Sequence, residues 1–208
     1  MPEGERKRRI LEAFNGQEKK MAQHEIIPLE TLYDQASRCR GCELWQGRTN
    51  LVFGVGNPHA DVLVVGEAPG EQEDLRGEPF VGRAGQLLNE MLGYAGLSRE
   101  DIYIANVLKC RPPGNRNPQP PEIQACSYFL REQTRAINPK YIVTLGNFAM
   151  KFILKTEAGI TRMRGQVHQA GRFQVYPVYH PAYVLRNGSQ RVTFQADFER
   201  LGELLRGQ

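Results

Sequence analysis

The sequence predicts an α/β fold, helices sandwiching a parallel sheet, on two observations. Four short apolar runs stand at wide intervals: Val62-Leu63-Val64-Val65, Ile102-Tyr103-Ile104-Ala105, Tyr141-Ile142-Val143-Thr144-Leu145 and residues 173–178. Continuous apolar runs of this length mark strands buried on both faces. Helical periodicities fill the intervals, and strands that alternate with helices are joined by crossovers, which makes the sheet parallel.

Along the chain, residues 1–30 read as a polar extension, with Ile10, Leu11 and Phe14 spaced for a short amphipathic helix, and residues 31–208 as one domain. From Pro28 the positions Leu29, Leu32, Tyr33 and Ala36 are helical and lead into Cys39-Arg40-Gly41-Cys42, where Gly41 lets the chain turn. Further helices are expected over residues 86–94 (Leu87, Leu88, Met91, Leu92), 121–137, 148–154 and 194–205. There is no internal repeat and no linker that would divide the domain.

At 208 residues, 40% hydrophobic and 24% charged, the chain has the make-up of a globular protein. A chain of this size buries about 70% of its unfolded surface and needs no covalent staples, so its four cysteines call for another reason. No apolar run reaches the roughly 18 to 20 residues of a membrane span, and the mean hydropathy is −0.50. The charged N-terminus is followed by no apolar core of a secretory signal, so a cytoplasmic protein is expected. In that reducing compartment the cysteines read as metal ligands or thiols before disulfides. The net charge of +4 is compatible with a polyanionic partner and does not by itself require one.

In an open α/β sheet the cleft lies beyond the carboxyl ends of the strands. The loops there are Gly66-Glu67-Ala68-Pro69-Gly70, Asn106-Val107-Leu108-Lys109-Cys110, Gly146-Asn147 and Tyr179-His180-Pro181-Ala182-Tyr183. The first runs into the carboxylates Glu71, Glu73 and Asp74, which read as easily as a solvated turn as a site. Phe80, in a polar loop, can be a core plug or a stacking platform. Asn106 leaves an apolar strand, where an amide is costly unless paired: it either satisfies a neighbouring loop or reads a ligand edge.

Cys39 and Cys42 form a close pair, followed after 67 residues by Cys110 and after 15 more by Cys126. A four-cysteine zinc site usually shows two close pairs, whereas iron–sulfur clusters accept more varied spacings. Spacing alone leaves a [4Fe–4S] cluster, zinc and free thiols all open. Cys110 and Cys126 bracket a stiff basic loop, Arg111-Pro112-Pro113-Gly114-Asn115-Arg116-Asn117-Pro118-Gln119-Pro120-Pro121.

Gly66-Glu67-Ala68-Pro69-Gly70 with Glu73-Asp74, Pro79-Phe80-Val81-Gly82, Asn106, Lys109-Cys110-Arg111-Pro112-Pro113 and His180-Pro181-Ala182-Tyr183 together resemble the family 4 uracil-DNA glycosylases, the iron–sulfur class. The likeness runs in order from about Tyr33 to Leu205. It implies a three-layer α/β/α sandwich with a central four-stranded parallel sheet, matching the four apolar runs. It also implies a [4Fe–4S] cluster on Cys39, Cys42, Cys110 and Cys126.

The implied activity is a base-excision repair hydrolase that flips uracil out of DNA, cleaves its N-glycosidic bond and leaves an abasic site. Glu67, Ala68, Phe80, Asn106 and His180 would bind uracil: Phe80 by stacking, Asn106 by reading O4 and N3–H, His180 at O2. The Glu67 side chain is the candidate to exclude the thymine methyl. Glu67, Glu73 and His180 are the catalytic candidates, with Glu67 ranked above Glu73. Arg83, Lys109, Arg111, Asn115, Arg116 and Arg186 are the expected DNA contacts, with Tyr183 and Leu185 as wedges into the vacated stack. A basic insertion with a reactive His, which marks the relative that captures DNA covalently, does not interrupt residues 71–77, so turnover is expected. No lysine stands to attack the sugar, so strand cleavage is not. The enzyme is expected to act as a monomer. The competing readings are a non-catalytic metal-bound nucleic-acid module and an electron-transfer protein.

Overall fold

The computed structural model describes residues 25–207; the amphipathic stretch around Ile10, Leu11 and Phe14 and most of the expected extension lie outside the described residues. In chain order the elements are α1 (Leu29–Ser37), α2 (Leu44–Gly47), β1 (Val55–Gly56), β2 (Val62–Gly66), α3 (Glu71–Arg76), α4 (Arg83–Tyr94), β3 (Ile102–Asn106), α5 (Pro120–Ile137), β4 (Tyr141–Leu145), α6 (Gly146–Leu154), α7 (Ile160–Met163), β5 (His168–Ala170), β6 (Phe173–Val178), α8 (Pro181–Arg186) and α9 (Arg191–Arg206).

The sheet runs β1-β3-β2-β4-β6-β5. Its four central strands are parallel, in the register Val62↔Ile102, Val62↔Tyr141 and Tyr141↔Gln174. The expected four-strand parallel core is present, and two short antiparallel strands flank it, β1 on β3 and β5 on β6. These edges left no pattern to read. β1 is two exposed residues, Val55 and Gly56, with Gly56 and the preceding Gly54 at positive φ, and β5 is His-Gln-Ala with no β-branched residue. Short edge strands bury little and need little apolar patterning.

Alternate residues of the central strands face opposite helix layers. Val62, Val64, Ile102, Ile104, Val143 and Tyr176 pack with Leu87, Leu88, Met91 and Leu92 of α4 and Phe194, Phe198 and Leu201 of α9. Leu63, Val65, Ala105, Ile142 and Val175 pack on the other face with Leu130 and Ile137 of α5 and Ala149 of α6. A third cluster joins Leu32 and Ala36 of α1 to Phe53, Leu108, Cys110, Cys126 and Phe129, with Ile27 and Leu29 against it. The acidic run after β2, read as either a solvated turn or a site, forms helix α3, whose first turn holds Glu71, Glu73 and Asp74 where the helix dipole favours carboxylates.

One close approach fixes how α4 meets the loop before it. A Cβ on Gly85 would sit 1.7 Å from the Phe80 carbonyl oxygen, and Phe80 itself has φ 54°. Gly85→Ala is therefore expected to destabilise the fold by about 3 kcal/mol, the upper range for overpacking. Urea unfolding checks this; a loss below about 1 kcal/mol would show that the loop yields freely.

Candidate functional site

The carboxyl ends of β2, β3, β4 and β6 open on a cleft of about 880 Å³ whose lining includes Glu67, Ala68, Glu73, Phe80, Asn106, Gly146, His180 and Arg186. All four loops singled out in the sequence meet here. Asn106 and Phe80 close on Gly66: a Cβ there would lie 2.2 Å from Asn106 Oδ1 and 2.7 Å from Phe80 Cζ. Only glycine lets the amide and the ring approach the strand this closely. Asn106 is buried and its Oδ1 has no hydrogen-bond partner among the described residues, a costly arrangement that a ligand donor would relieve.

His180 caps α8. Its Nδ1 accepts from the Ala182 amide at 3.1 Å, so Nδ1 is unprotonated and the neutral ring carries its proton on Nε2. Burial pushes its pKa down to about 4, helped by Arg186 and opposed by Glu73. The ring sits 5.8 Å from that of Phe80. Gly146, at φ +86°, leaves room for it, since a Cβ would come 2.9 Å from His180 Cβ.

The two glutamates differ in kind. Burial raises the Glu67 carboxyl above the ordinary carboxylate range. Glu73 instead accepts backbone amides, from Gly70 at 3.1 Å through Oε2 and from Val81 at 3.0 Å and Gly82 at 3.1 Å through Oε1. From the other side Arg99 donates to the carbonyls of Pro79 at 2.9 Å and Phe80 at 3.1 Å. Glu73 and Arg99 thus grip the backbone on both sides of Phe80 and hold it in its left-handed conformation. Phe80 belongs to the core cluster, one of the two placements expected of it, and its ring also lines the cleft. Sequence reasoning missed Arg99, which is far from any motif, and Gly85; it placed Gly146 in a cleft loop but not against His180, which is distant in sequence. Phe148, Lys151 and Phe152 of α6 also line the cleft and were also missed.

Of the residues expected on the rim, Arg83, Asn115, Tyr183, Leu185 and Arg186 are exposed. Arg111 is partly buried and donates to Asn115 Oδ1 at 2.8 Å. Arg116 pairs with the buried Glu122, which also accepts from the Gln119 amide at 2.8 Å, so it braces the proline-rich loop against α5. Lys109 requires a correction: it is 1% exposed and cannot reach a phosphate. Its Nζ donates to the Asn106 carbonyl at 2.8 Å and lies 5.8 Å from the Phe53 ring centroid.

The four cysteines line one cavity with Arg48 and Lys109, bringing the sequence-close pair from the end of α1 to the split pair on the β3–α5 loop and on α5. None of the four is joined in a disulfide. Donors point at the sulfurs: Lys109 N–H to Cys126 at 3.2 Å, Gly41 N–H to Cys39 at 3.4 Å, and Arg48 Nη1 to Cys110 at 3.4 Å. Among the described residues no three such groups close on a point as the ligands of a single ion would. The donor set, four sulfurs lining one cavity with N–H and guanidinium donors, suits an anionic sulfur-ligated centre.

A sequence profile of the uracil DNA glycosylase superfamily matches residues 53–206. Among curated relatives, a type-4 uracil-DNA glycosylase of Archaeoglobus fulgidus is 47% identical over 85% of this chain and 92% of its own. The type-4 enzyme of Thermotoga maritima is 46% identical over 79% and 86%, and that of Sulfurisphaera tokodaii 44% over 85% and 84%.

Two measurements test the site's physics. His180 titrates near 6.5 when unfolded and near 4 when folded, so the unfolded chain binds the extra proton between those values. Stability should be unaffected above pH 6.5 and fall by up to about 3 kcal/mol as pH drops to 4. Comparing urea unfolding at pH 7 and 4.5 for the wild type and His180→Asn isolates this share; equal pH losses would contradict it. Arg99→Met should release the Phe80 backbone, with Val81 and Gly82 amides exchanging at least about tenfold faster by hydrogen exchange. Unchanged exchange would show that Glu73 suffices.

Proposed function

The chain belongs to the uracil-DNA glycosylase superfamily, and from that premise we propose that it excises uracil from DNA by hydrolysing the N-glycosidic bond. The observation that carries this is the buried, unpartnered Oδ1 of Asn106, set beside the Phe80 ring and within the same narrow cleft as His180. Uracil offers a donor at N3–H and acceptors at O4 and O2. Asn106 accepts from N3–H through Oδ1 and donates its NH2 to O4. Cytosine presents the reverse at both positions and would leave two buried groups mispaired. Phe80 stacks on the extruded ring and recovers part of the unstacking energy.

In the reaction the C–N bond breaks with its electron pair moving to uracil, water adds to the anomeric carbon, and the proton that water loses passes to solvent or to the departing uracil anion. His180 stays neutral, because its pocket resists protonation, and donates Nε2–H to O2 as negative charge accumulates there. Glu67, held at the strand end and raised by burial, stabilises the sugar cation or orients the water; its side chain also faces the position of a C5 methyl and disfavours thymine. Glu73, with its oxygens engaged by three amides, serves mainly to hold Phe80, while its charge faces the same cleft. Arg83, Arg111, Asn115 and Arg186 contact the phosphates, and Tyr183 and Leu185 enter the vacated stack.

Cys39, Cys42, Cys110 and Cys126 would hold a [4Fe–4S] cluster. Such a group supplies mechanical bracing of the loop between Cys110 and Cys126, since the hydrolysis moves no electrons between redox centres. No helix among the described residues is long and apolar enough to cross a membrane. The same reading takes the enzyme to be a cytoplasmic monomer.

Uracil-containing and matched thymine-containing oligonucleotides, incubated with the enzyme and then treated with alkali, test this. Cleavage confined to the uracil strand is expected; none with iron-loaded protein would reject it. His180→Ala should slow single-turnover excision by about 10²- to 10³-fold, as for loss of a transition-state donor. Asn106→Asp should relax the choice between uracil and cytosine, measured on the same duplexes.

A further inference from the structure

Lys109 is a buried ammonium that the proposed chemistry does not use. It stands three residues after Asn106 and directly before Cys110, with its Nζ on the Asn106 carbonyl at 2.8 Å and its own amide on Cys126 Sγ at 3.2 Å. It also lines the cysteine cavity. A charge with 1% exposure is stable only where opposite charge or strong acceptors compensate it. The groups beside it are the Asn106 carbonyl, the face of Phe53 and the cysteine cavity that it lines. Cysteine thiols become thiolates when they hold a metal centre, which supplies the missing negative charge.

We propose that Lys109 is a positioning residue, a buried ammonium that couples the cysteine centre to the Asn106 carbonyl and so fixes the base-reading amide at the end of β3. This rests on the cluster reading above. The surrounding hydrogen bonds suit that role. Val107 and Leu108 donate to the Gly66 and Glu67 carbonyls at 3.0 Å each, and Val52 donates to the Lys109 carbonyl at 2.9 Å. The segment from Asn106 to Cys110 is thereby tied at every residue, with Lys109 as the tie between its two ends. It would give the centre a function in a reaction that needs no electrons: its charge retains the lysine, and the lysine retains the amide.

Lys109→Met, close in size and uncharged, tests the link, with Lys109→Arg retaining the charge. Iron per chain, the rate of iron loss to a chelator, and single-turnover kcat and KM are measured for each, and again with Asn106→Ala. Iron loss from the Met variant should be at least about tenfold faster, and its kcat should fall by about 10²-fold, the cost of a misplaced contact, with KM little changed. In the Asn106→Ala background the same substitution should alter kcat less than about twofold, because the two residues act as one unit. Iron retention at the wild-type rate, or an equal loss of kcat in both backgrounds, overturns the inference. If Lys109→Met does not fold, Lys109→Arg decides: iron loaded and kcat near wild type supports it, and iron lost overturns it. Wild-type protein without iron overturns the cluster reading and this inference together, whereas iron-loaded protein with additive losses overturns the inference alone.

Discussion

The parallel ladder between β2 and β3 does not end at the last paired residues. Gly66 pairs with Asn106, and beyond them Val107 and Leu108 still donate to the carbonyls of Gly66 and Glu67. Two loops that elsewhere would be independent are thus fixed to each other by backbone hydrogen bonds. The glycine motif, the amide of Asn106 and the first cysteine of the split pair all take their positions from this extension. Rigid backbone at the strand ends is what lets a cleft keep an unpartnered polar atom without relaxing around it.

Phe80 shows the same principle with strain added. A phenylalanine at positive φ is held against an unfavourable conformation, and it persists because its surroundings over-determine it. Glu73 accepts on one side, Arg99 donates on the other, and Gly85 leaves no side chain where the carbonyl must lie. The result is a ring fixed over Gly66 before any ligand arrives, so a stacked base would meet a prepared surface.

The slight positive balance of the chain is spent in an unexpected way. Arg48, Arg99, Lys109 and Arg116 use their donors on carbonyls, sulfur and a buried carboxylate inside the domain. Fewer cations are left for a polyanion than composition implies; of those, Arg186 lines the cleft and Arg83 is exposed at the start of α4. In the proposed reading these meet the phosphates while Glu67 and Glu73 face the sugar, so the signs are separated by position and not by total.

Local sequence determined much of this protein. Runs such as Val62 to Val65 can be buried on both faces only as inner strands, and the period of Leu87, Leu88, Met91 and Leu92 admits only a helix with one apolar face. The loops after those strands carried the glycines, amide and histidine of the cleft. Edge strands β1 and β5 were not legible, because a strand paired on one side needs no apolar pattern. The functions of charged side chains were not legible either: Glu73 as a clamp, Arg99 as its counterpart and Lys109 as an interior cation each depend on partners brought close by the fold. The His180 tautomer likewise follows from a hydrogen bond to Ala182, and the meeting of the two cysteine pairs from α1 packing on α5. Apolar periodicity is a property of neighbouring residues, so sequence alone fixes it; hydrogen-bond and charge partners are set by distance in space, which only the tertiary structure decides.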